Sequence, residues 1–270
     1  ETCKKIFYDI YENLHKTELE HYPHHYDILE KKGKLYDKYL EDREIFKSKI
    51  KISKTSTDAR TDITTKMESY DNKALEKYTN DMNNFIEQCK NTVKKSESDH
   101  KKIQLNNLQK EFIKFNENVD FHKIDIFQKH PDFCFTMKEP MSGETIKGIR
   151  REIMRVLNVK IPYEHPIFQM LKRGVGIYIE SMPDDYKWIL QKLMSKRDIG
   201  VVISDKTLCL GIDLPIRTST LMHYDSNDSD GNSPFTNEDY LQMGGRAGRR
   251  GMDDRGNVIF YGDIDYLSLM

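Results

Sequence analysis

The residues best suited to chemistry lie in one short stretch near the end of the chain, residues 242–251, called here the arginine stretch. Gln242 opens it, Arg246 and Arg249 follow among glycines, and Arg250 comes next. An arginine side chain presents a planar fork of N–H donors that matches the oxygens of a phosphate group. Small neighbours let this fork and the backbone approach a ligand closely. The stretch therefore predicts contact with a polyphosphate.

A disordered Arg-Gly-rich tail that binds RNA can have a similar local sequence. In this chain the stretch occurs once, and a predicted strand follows it at Asn257–Tyr261. The helix predicted before it has a candidate cap in Thr236, with Asp239 three residues later. This context favours a folded phosphate site.

Residues 204–215, called here the second loop, follow a predicted strand at Ile199–Ser204. Glycine and proline are common in turns, so this loop alone could be an ordinary connection between a strand and a helix. Its combination with the arginine stretch is far more specific than either segment alone.

Together the two segments resemble motifs V and VI of superfamily 2 helicases. The arginine stretch is most similar to that of the superkiller-like DExH-box RNA helicases. Residues 173–176, followed by Ser181, Met182 and the helix predicted after them, resemble the strand and helix that precede motif V in this group, particularly in its antiviral DExD/H-box branch. The match runs from about Phe168 to Asp263. The resemblance implies a RecA-like fold, with ATP and Mg²⁺ as cofactors and single-stranded or duplex RNA as a partner.

The resemblance also implies a role for each matching residue. Arg246 and Arg249 would be the catalytic arginines that reach the γ-phosphate of ATP, with Arg249 as the finger. An arginine that comes from another domain makes hydrolysis depend on domain closure. The residues implied to contact the nucleotide are Gln242, Gly211, Asp213 and Arg250. Those implied to contact RNA phosphates, without reading base sequence, are Thr207, Lys206 and Gly174.

The chain departs from the pattern of the family at several positions. Tyr178 and Ile179 stand where many members have two histidines, and Asp205 stands where they have a threonine. A carboxylate near RNA repels phosphate. We therefore expect either that Asp205 turns away toward Lys206 or that RNA handling is altered.

The other half of an ATPase site is missing from the sequence. The nearest candidate for a phosphate loop, residues 143–150, lacks the final Lys and hydroxyl residue of Gly-x-x-x-x-Gly-Lys-Ser/Thr. No Asp-Glu-x-His or Asp-Glu-Ala-Asp string occurs. We therefore expect this chain to be the second RecA-like domain of a longer helicase. ATP and Mg²⁺ would be held mainly by the first such domain, and this chain alone would not hydrolyse ATP.

Hydrophobic spacing divides the chain into three predicted parts. Residues 1–27 would form the opening helix of the second RecA-like domain, 28–130 a charged helical insertion, and 131–270 the remainder of that domain. Apolar residues three and four apart from Thr61 to Val93, and again from Leu105 to Val119, predict an antiparallel, coiled-coil-like helix hairpin. Its charged face is either a solvated surface or a contact for a protein partner or RNA.

After Pro140, strands of β-branched residues alternate with short amphipathic helices, which predicts an α/β fold with a parallel sheet. Helices are predicted at Ser142–Leu157 and after Pro183, and a strand at Gly174–Ile179. Trp188 is expected in the core.

Composition adds few constraints. The net charge of −1 excludes no class of partner. The four cysteines lie far apart, so neither a disulfide framework nor a zinc cage is expected, and an intracellular location, cytoplasmic rather than nuclear, is favoured. No apolar run approaches the roughly 20 residues of a membrane span. His21, His24 and His25 are close together, but Pro23 breaks their helical spacing, and no metal ligand is assigned.

Two functions are compatible with the sequence. The leading hypothesis is the C-terminal motor half of an ATP-dependent RNA helicase that unwinds or translocates RNA. The alternative is a degenerate helicase-like module that recruits a partner or RNA through its helical insertion.

Overall fold

A computed structural model divides the chain into two compact units. One, the helical unit, comprises residues 13–130, and the other, the α/β unit, comprises residues 1–12 and 131–270. The described residues are 2–50, 58–94, 99–136, 140–209, 216–222, 237–248 and 254–261. The domain limits expected from the sequence stay predictions. Among the described helices, none has the length and apolar character needed to cross a membrane.

Four long helices occupy the first half of the chain. They are α1 (Thr2–His21), α2 (His25–Lys49), α3 (Asp58–Lys94) and α4 (Asp99–Glu117). The helices predicted from apolar spacing are confirmed as α1, α3 and α4. The predicted hairpin contained two helices, α3 and α4, and the structure shows a further helix, α2, before them.

Contacts along α3 show how it packs against α4. The Tyr78 hydroxyl donates to the carbonyl oxygen of Asp120 at 3.1 Å, just beyond the end of α4. Further along α3, Lys90 Nζ lies 4.1 Å from the centroid of the Phe112 ring. Residue numbers rise on α3 where they fall on α4, so the two helices are antiparallel, as predicted. The buried core of this unit consists of Ile28, Tyr78, Met82, Ile86, Cys89, Val93, Leu108 and Phe115.

The α/β unit contains four shorter helices and four strands. The helices are α5 (Gly143–Leu157), α6 (Pro166–Lys172), α7 (Asp184–Ser195) and α8 (Asn237–Gly244). The strands are β1 (Val175–Tyr178), β2 (Val201–Ser204), β3 (Thr218–Met222) and β4 (Asn257–Tyr261). Ser142, directly before α5, caps the helix, because its hydroxyl accepts a hydrogen bond from Thr145 N–H at 3.2 Å.

Both pairs of strands are parallel. β1 pairs with β2 from Val175 opposite Val201 to Tyr178 opposite Ser204. β3 pairs with β4 from Thr218 opposite Asn257. Each connection carries a helix, α7 in the first pair and α8 in the second, as a parallel connection requires. The predicted α/β class is confirmed, although among the described residues the strands form two small sheets rather than one.

Two expectations from the sequence concern particular segments of the α/β unit. Residues 143–150 lie within helix α5 rather than in a phosphate loop. Trp188 is 60% exposed, so its expected core position is wrong. The buried stripe of α7 consists of Tyr186, Ile189, Leu190 and Leu193. Trp188 lies off that stripe, and Lys192 Nζ lies 3.7 Å from the centroid of its indole ring.

Candidate functional site

The arginine stretch begins in the last turn of helix α8 and pairs with Ile216, two residues before β3. Ala247 forms a parallel bridge with Ile216, and Gly248 N–H donates to Ile216 O at 2.9 Å. Ile216 follows residues 211–215 of the second loop directly in sequence. The structure therefore brings the arginine stretch to the residue at which the second loop ends.

Two glycines permit a close approach at this point. Gly248 has φ +95°, a conformation that L side chains rarely adopt. A Cβ added to Gly256 would lie 2.4 Å from both C and O of Ala247. These glycines let the backbone of the arginine stretch lie directly against the segment that enters β4. Gly248, one of the glycines of the arginine stretch, thus also has a packing role.

The predicted nucleotide contacts are described in part. Gln242 is exposed on α8, and Arg246 is partly exposed just after it. Gln242 lies in the last turn of α8 and Arg246 two residues after its end, so both residues lie at the same end of this helix. Outside the described residues lie Gly211, Asp213, Arg249 and Arg250.

Asp205 connects the carboxyl ends of β1 and β2. Its Oδ2 accepts a hydrogen bond at 2.9 Å from the N–H of Glu180, two residues after β1. Its Oδ1 accepts one at 3.0 Å from the N–H of Thr207, and the Thr207 hydroxyl donates to the same oxygen. The expected turn of Asp205 toward Lys206 is wrong, because the carboxylate instead accepts these three hydrogen bonds. Both donors that Thr207 could offer to a phosphate are engaged by Asp205.

Lys206 faces the helix that leads into the arginine stretch. Its Nζ lies 3.9 Å from Asp239 Oδ1 on α8, and its side chain is 65% exposed. An exposed ion pair at this distance contributes little stability. The ammonium group remains accessible to a second anion. Lys206 is therefore a cation in contact with solvent, held close to α8.

The negative charge of Asp205 also acts on the Cys3 thiol, in the first turn of α1. Burial raises the pKa of the Cys3 thiol, and the negative charge of Asp205 raises it further. Cys3 is therefore a neutral thiol at pH 7 and brings no negative charge to this end of the sheet.

Gly174 lies at the opposite end of the strands from Lys206 and Thr207. It precedes β1, whereas the other two residues follow β2, and β1 and β2 run parallel. Four residues of strand separate the two ends by about 13 Å. Gly174 has φ +76°, and a Cβ there would lie 2.7 Å from Thr136 Cγ2. Close packing against Thr136 therefore accounts for a glycine at position 174. The structure does not bring Gly174 close to Lys206 and Thr207.

The sequence did contain a signal for the geometry of Asp205. An aspartate two residues before a backbone N–H can accept its hydrogen bond in an Asx-turn, and Asp205-Lys206-Thr207 has this spacing. The bond from Glu180 depends on the pairing of β1 with β2 and has no local signature.

Comparison with known proteins identifies relatives of part of the chain. No protein-family profile matches it. The exosome RNA helicase MTR4 of Homo sapiens is 36% identical over 104 residues, which are 38% of this chain and 10% of that protein. The antiviral helicase SKI2 of Saccharomyces cerevisiae is 34% identical over 90 residues, 33% of this chain and 7% of that protein. The DExH-box ATP-dependent RNA helicase DExH9 of Arabidopsis thaliana is 29% identical over 120 residues, 44% of this chain and 12% of that protein.

These likenesses support the resemblance to RNA helicases over 33–44% of the chain. The similarity to the superkiller-like DExH-box type that the sequence predicted is confirmed for this part of the chain. The chain spans only about a tenth of the length of the curated relatives it matches.

Proposed function

We propose that this chain supplies the second RecA-like half of the ATPase motor of a superkiller-like DExH-box RNA helicase. The parallel bridge between Ile216 and Ala247 carries this proposal. It joins the residue after the second loop to the arginine stretch, and these are the two segments that resemble motifs V and VI. Parallel strands with helical connections support it further, since ligand-binding loops of such sheets lie at the strand ends.

On the nucleotide side, Arg246 and Arg249 would reach the γ-phosphate of ATP. The ATP and its Mg²⁺ would be held mainly by the first RecA-like domain. An arginine offsets the negative charge that develops on the transferred phosphoryl group, and an arginine supplied from a second domain couples hydrolysis to closure. Gln242 is exposed on α8, where it could contact ATP or orient the attacking water. The remaining proposed nucleotide contacts are Gly211, Asp213 and Arg250.

On the RNA side, Lys206 is the proposed phosphate contact, because its ammonium group is exposed. Thr207 would contact a phosphate only by giving up a hydrogen bond to Asp205, because its N–H and its hydroxyl both donate to that carboxylate. We leave Gly174 out of this surface because it lies at the other end of the strands. Contacts to phosphates would hold RNA without reading its sequence, as translocation requires.

RNA-stimulated ATP hydrolysis tests the proposal, measured on the protein in which this chain follows its first RecA-like domain. We expect Arg249→Ala to lower kcat by at least about 100-fold, in line with the loss of one charge-stabilising donor. RNA affinity should change little. The matched control is Arg155→Ala, because Arg155 is an exposed arginine on α5 in the same unit. This control should keep wild-type turnover.

Two outcomes would count against the proposal. Wild-type turnover in Arg249→Ala would show that this arginine is not the finger. Absence of ATP hydrolysis by the wild-type protein, together with partner binding through residues 28–130, would favour the degenerate recruiting module instead.

A further inference from the structure

Three side chains from separate parts of the sequence meet inside the helical unit. His25 is the first residue of α2, Glu111 lies on α4, and His130 ends the segment that follows α4. One ring nitrogen of each histidine and one carboxylate oxygen of Glu111 all lie within 4.8 Å of one another. Both histidines are buried, each 8% exposed. Two imidazoles and a carboxylate are a frequent ligand set for a transition-metal ion.

The distances between the three ligand atoms are close to the distances between ligands around a bound zinc ion. Ligands about 2.1 Å from a tetrahedral zinc ion lie about 3.4 Å from each other. His130 Nε2 and Glu111 Oε1 are already 3.6 Å apart. Because all three ligand atoms lie within 4.8 Å of one another, His25 would have to approach by about 1.4 Å at most, which a rotation of side chains can provide.

The surroundings orient both imidazoles. His25 Nε2 lies 3.0 Å from the carbonyl oxygen of Gln128, which can only accept, so Nε2 carries the proton. Nδ1 of His25 therefore has the lone pair that a metal needs. Metal-binding histidines commonly donate their other N–H to a backbone carbonyl in this way.

His130 is held by two further contacts. Its ring stacks on Tyr22 with the ring centroids 3.6 Å apart. Its backbone N–H donates at 2.8 Å to Oε1 of Glu18, a fully buried carboxylate whose other oxygen accepts from the Tyr26 hydroxyl. A fixed ring position reduces the entropy lost when an ion binds.

There is also room for a fourth ligand. His25 and Glu111 border a small cavity of about 10 Å³. This volume holds about one water molecule. A zinc ion with three protein ligands takes a water as its fourth.

We propose that His25, Glu111 and His130 bind a divalent transition-metal ion, zinc foremost, with one water completing the coordination. The ion joins the start of α2, the middle of α4 and the end of residues 118–130. Imidazole nitrogens favour zinc over Mg²⁺ or Ca²⁺, which prefer oxygen ligands. This site is independent of the proposed motor function.

Metal titration of the 270-residue chain, stripped with a chelator, tests the proposal. We expect one Zn²⁺ per chain by calorimetry and the visible absorption bands of tetrahedral Co²⁺ when cobalt replaces zinc. Zinc should also raise the thermal unfolding temperature. Loss of an outer-shell partner weakens metal binding by about 10–100-fold, so loss of a ligand in Glu111→Gln or His130→Gln should weaken it by at least about 100-fold.

Two histidine variants serve as controls. His122→Gln changes an exposed histidine of the same unit and should bind zinc like wild type. His24→Gln tests the neighbouring surface histidines and should also bind normally. Far-UV circular dichroism without metal separates lost ligation from lost folding, and Glu111→Gln, which keeps the side-chain shape, remains informative if His130→Gln does not fold.

The proposal is overturned if the wild-type chain binds no zinc in a 1:1 ratio. It is also overturned if folded Glu111→Gln binds zinc as tightly as wild type. Loss of binding in His24→Gln alone would assign the metal to the surface histidines instead.

Discussion

Gly256→Ala tests whether backbone packing positions the arginine stretch. An added Cβ would lie 2.4 Å from C and O of Ala247 and 2.6 Å from Gly248 N. Ordinary van der Waals contact begins near 3.4 Å, so the two segments must separate by about 1 Å. All three atoms belong to the backbone, and no side chain can rotate away to relieve the contact.

Both stability and activity should respond. Overpacking of this kind costs about 1–3 kcal/mol. A shift of about 1 Å in a catalytic group can lower the rate by about 100-fold. We therefore expect Gly256→Ala to lower the unfolding temperature of the α/β unit by several degrees. In the RNA-stimulated ATPase assay of the longer protein, kcat should fall by about 10–100-fold although no arginine is changed.

Gly148→Ala is the matched control. Gly148 is exposed on α5, and a Cβ there meets nothing within 4 Å. Replacing an exposed glycine inside a helix by alanine should stabilise the protein by about 0.5–1 kcal/mol and leave turnover unchanged. If Gly256→Ala unfolded at the wild-type temperature and kept wild-type turnover, the packing argument for the arginine stretch would be refuted.

Two further predictions concern carboxylates. Asp205→Asn removes a negative charge beside the proposed phosphate contacts, and it also removes one of the two oxygens that accept hydrogen bonds from Glu180 and Thr207. The loss of charge should tighten single-stranded RNA binding by about fivefold, the equivalent of about 1 kcal/mol, in fluorescence anisotropy at fixed salt. Asp71→Asn removes the bidentate pair in which Arg43 Nε and Nη2 lie 2.9 and 3.1 Å from the two carboxylate oxygens. It should lower helical-unit stability by about 1 kcal/mol at pH 7 in thermal denaturation, since both side chains are about one-third exposed.

The stability that the Arg43–Asp71 pair contributes should depend on pH in a definite direction. The hydrogen bonds from Arg43 hold the pKa of Asp71 below its usual value. The pair therefore stabilises the folded state above the unfolded pKa of about 4, and the difference between wild type and Asp71→Asn should vanish as the pH falls through the folded pKa. A difference that became larger as the pH fell below 4 would contradict this.

Each carboxylate variant has its own control. Asp184→Asn removes a highly exposed carboxylate at the start of α7 and should leave RNA affinity unchanged. Equal tightening in both variants would mean that net charge, and not the position of Asp205, controls affinity. Asp37→Asn changes an exposed residue of α2 and should not alter stability measurably.

Local sequence patterns correctly predicted several helices and the α/β class. Helices α1, α3 and α4 follow from apolar residues three and four apart, because that spacing aligns side chains on one helical face. The parallel α/β class follows from strands that alternate with helices. The resemblance to superkiller-like helicases was recognised from the short segments around Lys206 and Arg246, because a motif of particular residue types is a local feature of the sequence.

The tertiary structure decided what depends on contacts between distant residues. Asp205 accepts from Glu180 only because β1 and β2 pair, and Ile216 meets Ala247 only because α8 returns the chain to β3. His25 drew attention in the sequence with His21 and His24, yet in the fold its partners are Glu111 and His130. The sequence by itself determined which groups are available and which elements carry them, because residue type and periodicity are local. Which of these groups meet is decided by long-range packing, which no local pattern records.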